Sequence, residues 1–318
     1  MSRTASGGLT GPKNLKAHAS PVLPTRNGVG PSCIALPPGQ WPRVIDFLAD
    51  RFDTIPRAEI EARMARGDVR DAAGGFVLPG HLYQPHARLY YYRSIDAEVR
   101  IPFDEIVLFE DDQIVVADKP HFLPVTPGGR YLQETLLVRL KRKLGIDTLA
   151  PMHRIDRETA GLVLLTKQPH TRGMYQSLFS QREVVKHYLA IAPYRAELSL
   201  PMTYRSRIVN ADHFMRMHEA NGEANAETGI ELLETRGGLA RYRLSPLTGK
   251  RHQLRVHMAA LGMPILNDQI YPEHQSKAQI ETDDFSKPLQ LLAESIAFID
   301  PVTAQARQFE SKRILNAL

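Results

Sequence analysis

Apolar positions along this chain fall into two patterns that change over near residue 100. Between 41 and 66 the spacing is helical: Val44, Ile45, Phe47, Leu48 and Phe52 form one stripe. A second short helix is predicted after it, with Thr54 as its cap, Pro56 in its first turn and Gly67 as its stop. Its polar surface carries Arg57, Arg63 and Arg66. Short β-compatible pieces follow at 67–70, 76–78 and 89–93, with a turn at Gly74-Gly75 between the first two.

Beyond Ile101 the pattern becomes one of strand pairs with helices set among them. Residues 106–110 and 113–117 read as a hairpin around the acidic turn Asp111-Asp112. Residues 132–144 read as a helix with basic residues near its C-terminus, where cations suit the helix dipole. The run 160–167 is apolar until its Thr166-Lys167 end, the signature of a strand buried on both faces. A helix is predicted over 171–181 with Met174, Leu178 and Phe179 inward. Strands are predicted at 184–192, 206–209, 228–234 and 239–244, with a polar loop or hairpin tip over 210–225. A helix starts near His252 and stops at Gly262, with Leu254, Met258 and Leu261 on one face and His252, Arg255 and Ala259 on another. Residues 289–298 read as a strand pair. Strand pairs with interspersed helices predict an α+β fold with a mixed, largely antiparallel central sheet and flanking helices.

Composition changes this picture at the N-terminus. Residues 1–40 hold six Pro, six Gly and no aromatic residue, so they are expected to form a disordered basic tail. Four of the five excess positive charges lie there, as Arg3, Lys13, Lys16 and Arg26 without any acid, so the rest of the chain is close to neutral. Nucleic-acid binding then has to rest on local clusters rather than a uniformly basic surface. A hydrophobic share of 43% and 318 residues allow a sizeable core and about two domains. No apolar run approaches a membrane span, and no secretory signal opens the chain, so a cytoplasmic protein without membrane association is expected. A single cysteine, Cys33, and twelve histidines without an HExxH spacing predict no metal site.

Candidate chemistry centres on residues 151–167. His153, Arg154, Asp156, Arg157 and Glu158 crowd a loop that feeds the apolar strand. In extended chain Arg154 and Asp156 point the same way. A carboxylate between arginines at the mouth of a rigid strand is a candidate reactive group. A second polar stretch, 248–257, begins Thr248-Gly249-Lys250, but Leu244 and Arg251 stand where a phosphate-binding loop needs Gly and Ser or Thr.

Three stretches together carry a resemblance. Residues 153–161, His-Arg-Ile-Asp-Arg-Glu-Thr-Ala-Gly, resemble the H-R-L-D-R-x-T-S-G signature of RluA-type pseudouridine synthases. Lys186-His187-Tyr188-Leu189-Ala190 resembles that family's K-x-Y-x-A, and residues 248–257 resemble its T-G-R-T-H-Q-I-R-V-H. The resemblance spans about residues 101–300 and departs modestly, with Ala160 for Ser and Lys250-Arg251 for Arg-Thr. It implies a pseudouridine-synthase-like fold over a catalytic domain at 98–318. It also implies isomerisation of uridine to pseudouridine in structured RNA, rRNA or tRNA, without a cofactor. By the same resemblance the catalytic residues are Asp156, the nucleophile, Arg255, its ion-pair partner, and Tyr188, which stacks on the base and lies where C5 must lose a proton. Arg154 replaces the flipped base in its stack. Arg157, Lys250, Arg251 and His252 bind substrate, and Leu291 and Leu292 wall the uracil pocket. The expected oligomeric state is a monomer.

Residues 41–97, two small helices and short strands forming a small N-terminal α/β module, resemble the alpha-L RNA-binding motif of a small-subunit ribosomal protein; a structural cap is the alternative. Two other readings of the whole chain compete. A glycosidase would use Asp156 and Glu158 as its carboxylate pair. A non-catalytic RNA-binding or ribosome-assembly factor would keep the fold alone.

Overall fold

The computed structural model describes residues 23–93, 95, 98–211, 216–272 and 284–317. Among these, 23–26 and 30–93 form one compact unit, and 27–29 with the residues beyond 94 form a second.

The smaller unit holds strand β1 (Ser32–Ala35), helices α1 (Val44–Arg51) and α2 (Arg57–Ala65), and strands β2 (Val69–Arg70) and β3 (Arg88–Tyr91). Its sheet has the order β1-β3-β2, all antiparallel. The predicted stripe is its core: Val44, Ile45, Phe47 and Leu48 bury with Leu36, Ile60, Met64 and Leu89. Order therefore begins before Trp41, because Cys33 pairs with Tyr90 and Leu36 is buried, which corrects part of the tail expected over 1–40; residues 1–22 lie outside the described residues. Thr54 does not cap α2; Pro56 occupies the cap position without a side-chain hydrogen bond. Residues 76–78 contribute one bridge, Arg70 to Phe76, in place of a strand.

The larger unit is organised by one sheet of eleven strands. In chain order the first six are β4 (Ile106–Glu110), β5 (Ile114–Lys119), β6 (Ala150–Pro151), β7 (Ala160–Thr166), β8 (Val185–Pro193) and β9 (Met202–Asn210). The remaining five are β10 (Met217–Ala220), β11 (Ala226–Arg236), β12 (Leu239–Pro246), β13 (Leu291–Ile299) and β14 (Ala306–Glu310). The order is β10-β9-β11-β12-β8-β13-β7-β5-β4, with β14 on β13 and β6 on β7. Every pairing is antiparallel except β13 with β7.

Helices α3 (Leu136–Leu144) and α4 (Arg172–Ser180) explain why β7 is apolar throughout. Successive strand residues face opposite ways. Val163 and Leu165 meet Leu136 and Leu140 of α3, whereas Leu162 and Leu164 meet Tyr175 and Leu178 of α4. Helix α3 starts four residues later than the pattern predicts, because Thr135 accepts from Val138 N and caps it. In α4 Leu178 is buried and Phe179 packs against the core as predicted, but Tyr175 takes the inward place expected of Met174, which is exposed. Helix α5 (Gln253–Ala260) packs Leu254 and Met258, with Leu261 just beyond its end, against Ala190, Tyr242 and Leu244. The predicted strand pair at 289–298 is one strand, β13, whose partner β14 lies further along the chain.

Candidate active site

The loop that feeds β7 is tethered at several points. Met152 N donates to Leu164 O at 2.9 Å, and Leu164 N donates to His153 Nε2 at 3.1 Å. The His153 ring stacks on Phe179, 4.7 Å between centroids. Burial, with a smaller push from the Lys186 charge, drives His153 down to about 3, so it stays a neutral acceptor. Thr159 N closes a turn onto Asp156 O at 3.2 Å. From β5 the buried Lys119 donates to Arg157 O at 3.1 Å and to Pro120 O at 2.9 Å. Burial pushes this amine down to about 7 against the pull of Glu158 and Asp156. Gly161 sits at φ +109, and a Cβ there would lie 2.2 Å from Ala293 O, so glycine is needed where β7 meets β13.

The facing wall is built from the stretch before α5. Buried Gln253 organises it: its Oε1 accepts from Thr248 Oγ1 at 2.7 Å and Lys250 N at 3.0 Å. Its Nε2 donates to Glu227 O and Thr228 Oγ1, both at 2.9 Å. His252 caps α5 in a left-handed conformation, φ 55. One helical turn later Arg255 points back into the site. Buried His257 bonds Thr228 Oγ1 and Ser206 Oγ and locks the helix onto the sheet.

These two walls bring Asp156 and Arg255 together. Arg255 Nη1 donates to Asp156 Oδ2 at 3.1 Å. The rest of the guanidinium is held by Asp268, Nε to Oδ2 and Nη2 to Oδ1, both at 2.7 Å. Arg255 is 1% exposed and Asp268 is fully buried, whereas Asp156 keeps 26% exposure. Asp268 is itself fixed by Ile270 N and Tyr271 N. Burial opposes the Arg255 charge, but the hydrogen bonds and charge of Asp268, with Asp156 and Glu158, outweigh it and raise the guanidinium above its ordinary value. A bidentate clamp on a permanent cation leaves one edge for a single reactive carboxylate. Glu158 lies 3.9 Å from Arg255 Nη1 and pairs with Arg157 Nε at 2.8 Å. Burial works against its ionisation, yet Arg157 and Arg255 hold it at about 2.

Asp156 and Arg255 line a cavity of about 890 Å³. Tyr188, Arg154, Arg157, Lys250, Arg251, His252 and Leu291 line it too. Arg154, Lys250 and Arg251 are exposed at its rim. Tyr188 pairs with Ala293 across β8 and β13, and burial, then the Asp156 charge, raises its phenol above the ordinary tyrosine range. Leu292 does not wall the cavity. Strand alternation turns it to the opposite face, where it packs with Ala160, Ile191 and Leu315. Arg157 is committed to Glu158 and the Tyr131 hydroxyl, which makes it a loop-fixing residue more than a phosphate contact. Residues missed from sequence are Asp268, Lys119, Gln253 and Tyr271. A signal existed for Lys119, which directly precedes the strand-breaking Pro120, and for Asp268, since the resemblance runs on from residue 257 to Tyr271, but it gave Asp268 no role.

Comparisons with known proteins identify relatives of this chain. The profile of the RNA pseudouridylate synthase family matches residues 113–260. The chain is 33% identical over 223 residues to a dual-specificity RNA pseudouridine synthase RluA of Pasteurella multocida, covering 66% of this chain and 93% of that one. It is 29% identical over 283 residues to the tRNA pseudouridine(31) synthase of Saccharomyces cerevisiae, covering 75% of this chain and 69% of that one. Among solved structures, human RNA pseudouridylate synthase domain containing 1 shares the fold, with a TM-score of 0.53, 22% identity, and coverage of 66% of this chain and 84% of that one. With 33% identity to a named relative across 93% of that relative's length, this chain belongs to the RluA-type RNA pseudouridine synthases.

Proposed function

We propose that this RNA uridine isomerase uses Asp156 as its nucleophile on a base flipped out of structured RNA. The carrying observation is the Asp156–Arg255 contact, with Arg255 clamped by Asp268 so that its remaining edge serves Asp156. A carboxylate that must stay ionised while substrate expels water needs a fixed cation, and arginine does not give up its proton.

In the isomerisation the C1′–N1 bond breaks, the uracil turns, and C5 bonds to C1′. C5 loses a proton and N1 gains one, so no oxidant or group donor enters. A cavity of about 890 Å³ suits a flipped nucleotide. Arg154, exposed at its rim, suits the vacated place in the base stack, and Lys250 and Arg251 suit the RNA backbone. Tyr188 serves as a stacking surface; burial keeps its phenol protonated, which disfavours phenolate as the base that takes the C5 proton. A glycosidase reading is less well supported, because Arg157 and Arg255 hold Glu158 ionised and the chain's one Trp, Trp41, lies outside the stretch that resembles the family. The substrate is tRNA or rRNA, and the named tRNA enzyme among the relatives favours tRNA. A monomer working in the cytoplasm completes the proposal.

The test uses RNA carrying tritium at uracil C5. Wild type should release tritium from tRNA or rRNA, and Asp156→Ala should abolish release, a loss of at least about 10⁴-fold. Asp156→Asn should still bind RNA. No release by wild type sinks the catalytic reading and leaves a binding factor; release that persists in Asp156→Ala sinks the nucleophile.

A further inference from the structure

Next to Asp156 the cavity holds a second group whose role the nucleophile does not explain. His252 stands at the start of α5, 9% exposed, with Nε2 3.9 Å from Asp156 Oδ1. Its other nitrogen, Nδ1, lies 3.0 Å from the Tyr271 hydroxyl. That hydroxyl accepts from Met217 N at 2.9 Å, and its own proton can go to Met217 O at 3.3 Å or to His252 Nδ1 at 3.0 Å. The two choices leave different groups facing the cavity. If Nδ1 carried the proton, the Nε2 lone pair would face the Asp156 carboxylate. If Tyr271 donates to Nδ1, Nε2–H faces it instead. The 3.0 Å contact serves either arrangement, but a lone pair turned to the Asp156 carboxylate would be repelled, so the carboxylate selects the second.

We propose that His252 offers Nε2–H as a hydrogen-bond donor to a carbonyl oxygen of the flipped pyrimidine, and that the Tyr271 hydroxyl fixes this tautomer. The assignment rests on the uridine-isomerase reading and adds a base-contacting residue and its positioning residue to it. A fixed donor suits uracil, whose ring presents two carbonyl oxygens. It also stabilises charge that spreads onto those oxygens when the bond to N1 breaks. Burial lowers the His252 basicity against the pull of Asp156, in keeping with a neutral ring. The backbone geometry supports the same role. His252 holds a left-handed φ of 55 at a non-glycine cap, and its imidazole lines the cavity at 9% exposure rather than standing in solvent.

Two measurements on the full chain test this. Nitrogen-15 spectra of histidine-labelled protein, with the His252 signal identified by its loss in His252→Gln, should show Nε2 protonated in wild type and a mixture of tautomers in Tyr271→Phe. Tritium release should fall about 100-fold in kcat for His252→Ala with RNA affinity unchanged. Tyr271→Phe should lose about 10-fold, as supporting groups behind a reacting residue do. The double variant should be no slower than His252→Ala, because Tyr271 acts through His252. His252→Gln, which keeps an amide donor, should regain part of the rate. Nδ1 protonation in wild type, or losses that multiply in the double variant, would overturn the assignment while an active wild type leaves the isomerase reading standing. An inactive wild type would overturn both. Should His252→Ala fail to fold, the wild-type spectrum still decides.

Discussion

Arginine serves opposite ends in the two units. On α2, Arg57 pairs with Asp46, Arg63 with Glu59, and Arg66 with Glu59 and Asp68. Arg57 and Arg66 are themselves 52% and 56% exposed, so water and salt screen their pairs, which contribute little. In the larger unit Arg255 is sealed between two carboxylates. There the same ion pair is strong in both directions, because losing one partner strands a charge away from water. The lesson is that an arginine-rich helix in the sequence signals less than one arginine buried beside an acid. On α2 the charges are already answered within the protein, which weakens the resemblance to an RNA-binding surface.

The contrast can be broken most forcefully at Asp268. Asp268→Asn removes the charge that holds Arg255, and turnover should drop about 100-fold by tritium release. Stability should fall by about 3 kcal/mol, read from the urea midpoint. Unchanged turnover would show that Arg255 needs no clamp.

Gly161→Ala should come next, at about 2 kcal/mol by the same measurement, because φ +109 and the Ala293 backbone leave no room for a methyl group. A neutral result would mean that β7 and β13 separate easily.

A pH series sharpens the comparison at Glu158. Its folded value, about 2, lies below the ordinary 4.5, so its charge stabilises the fold fully above about 4.5. That contribution is lost as pH falls through about 2. The urea midpoints of wild type and Glu158→Gln should therefore converge on acidification. A constant gap between pH 6 and 3 would mean that the carboxylate is not held by the arginines.

The smallest effect is expected for Arg57→Ala on the first unit, with urea midpoint and RNA affinity both unchanged. A weaker, less salt-dependent RNA complex would return α2 to the RNA interface.

Much of the site was legible because its chemistry sits in runs. The apolar stretch at 160–165 is buried on both faces, and apolar side chains at every position announce that. Asp156 and Arg255, a hundred residues apart, were paired through motifs and meet at 3.1 Å. Asp268 was half legible: the resemblance runs through it to Tyr271, but only bidentate geometry shows that it clamps Arg255. Leu291 and Leu292 differ solely by which face register assigns them, and register depends on pairing with β8. Met174 and Tyr175 differ by one step of helix phase. Strand β14 was missed because Ala-Arg-Gln-Phe-Glu has too little apolar content to alternate visibly.

Strand β13 carries a consequence for how the chain comes into being. It lies between β7 and β8, yet it follows them by about a hundred residues. During synthesis β7 and β8 each expose an open edge of unpaired amide and carbonyl groups until residue 299 has emerged. Leu291, on the same strand, closes the cavity only then. A nascent or truncated chain ending before β13 holds Asp156, Tyr188 and Arg255 in sequence but has no sheet to bring them together. RNA modification by this protein thus begins only after β13 has been made.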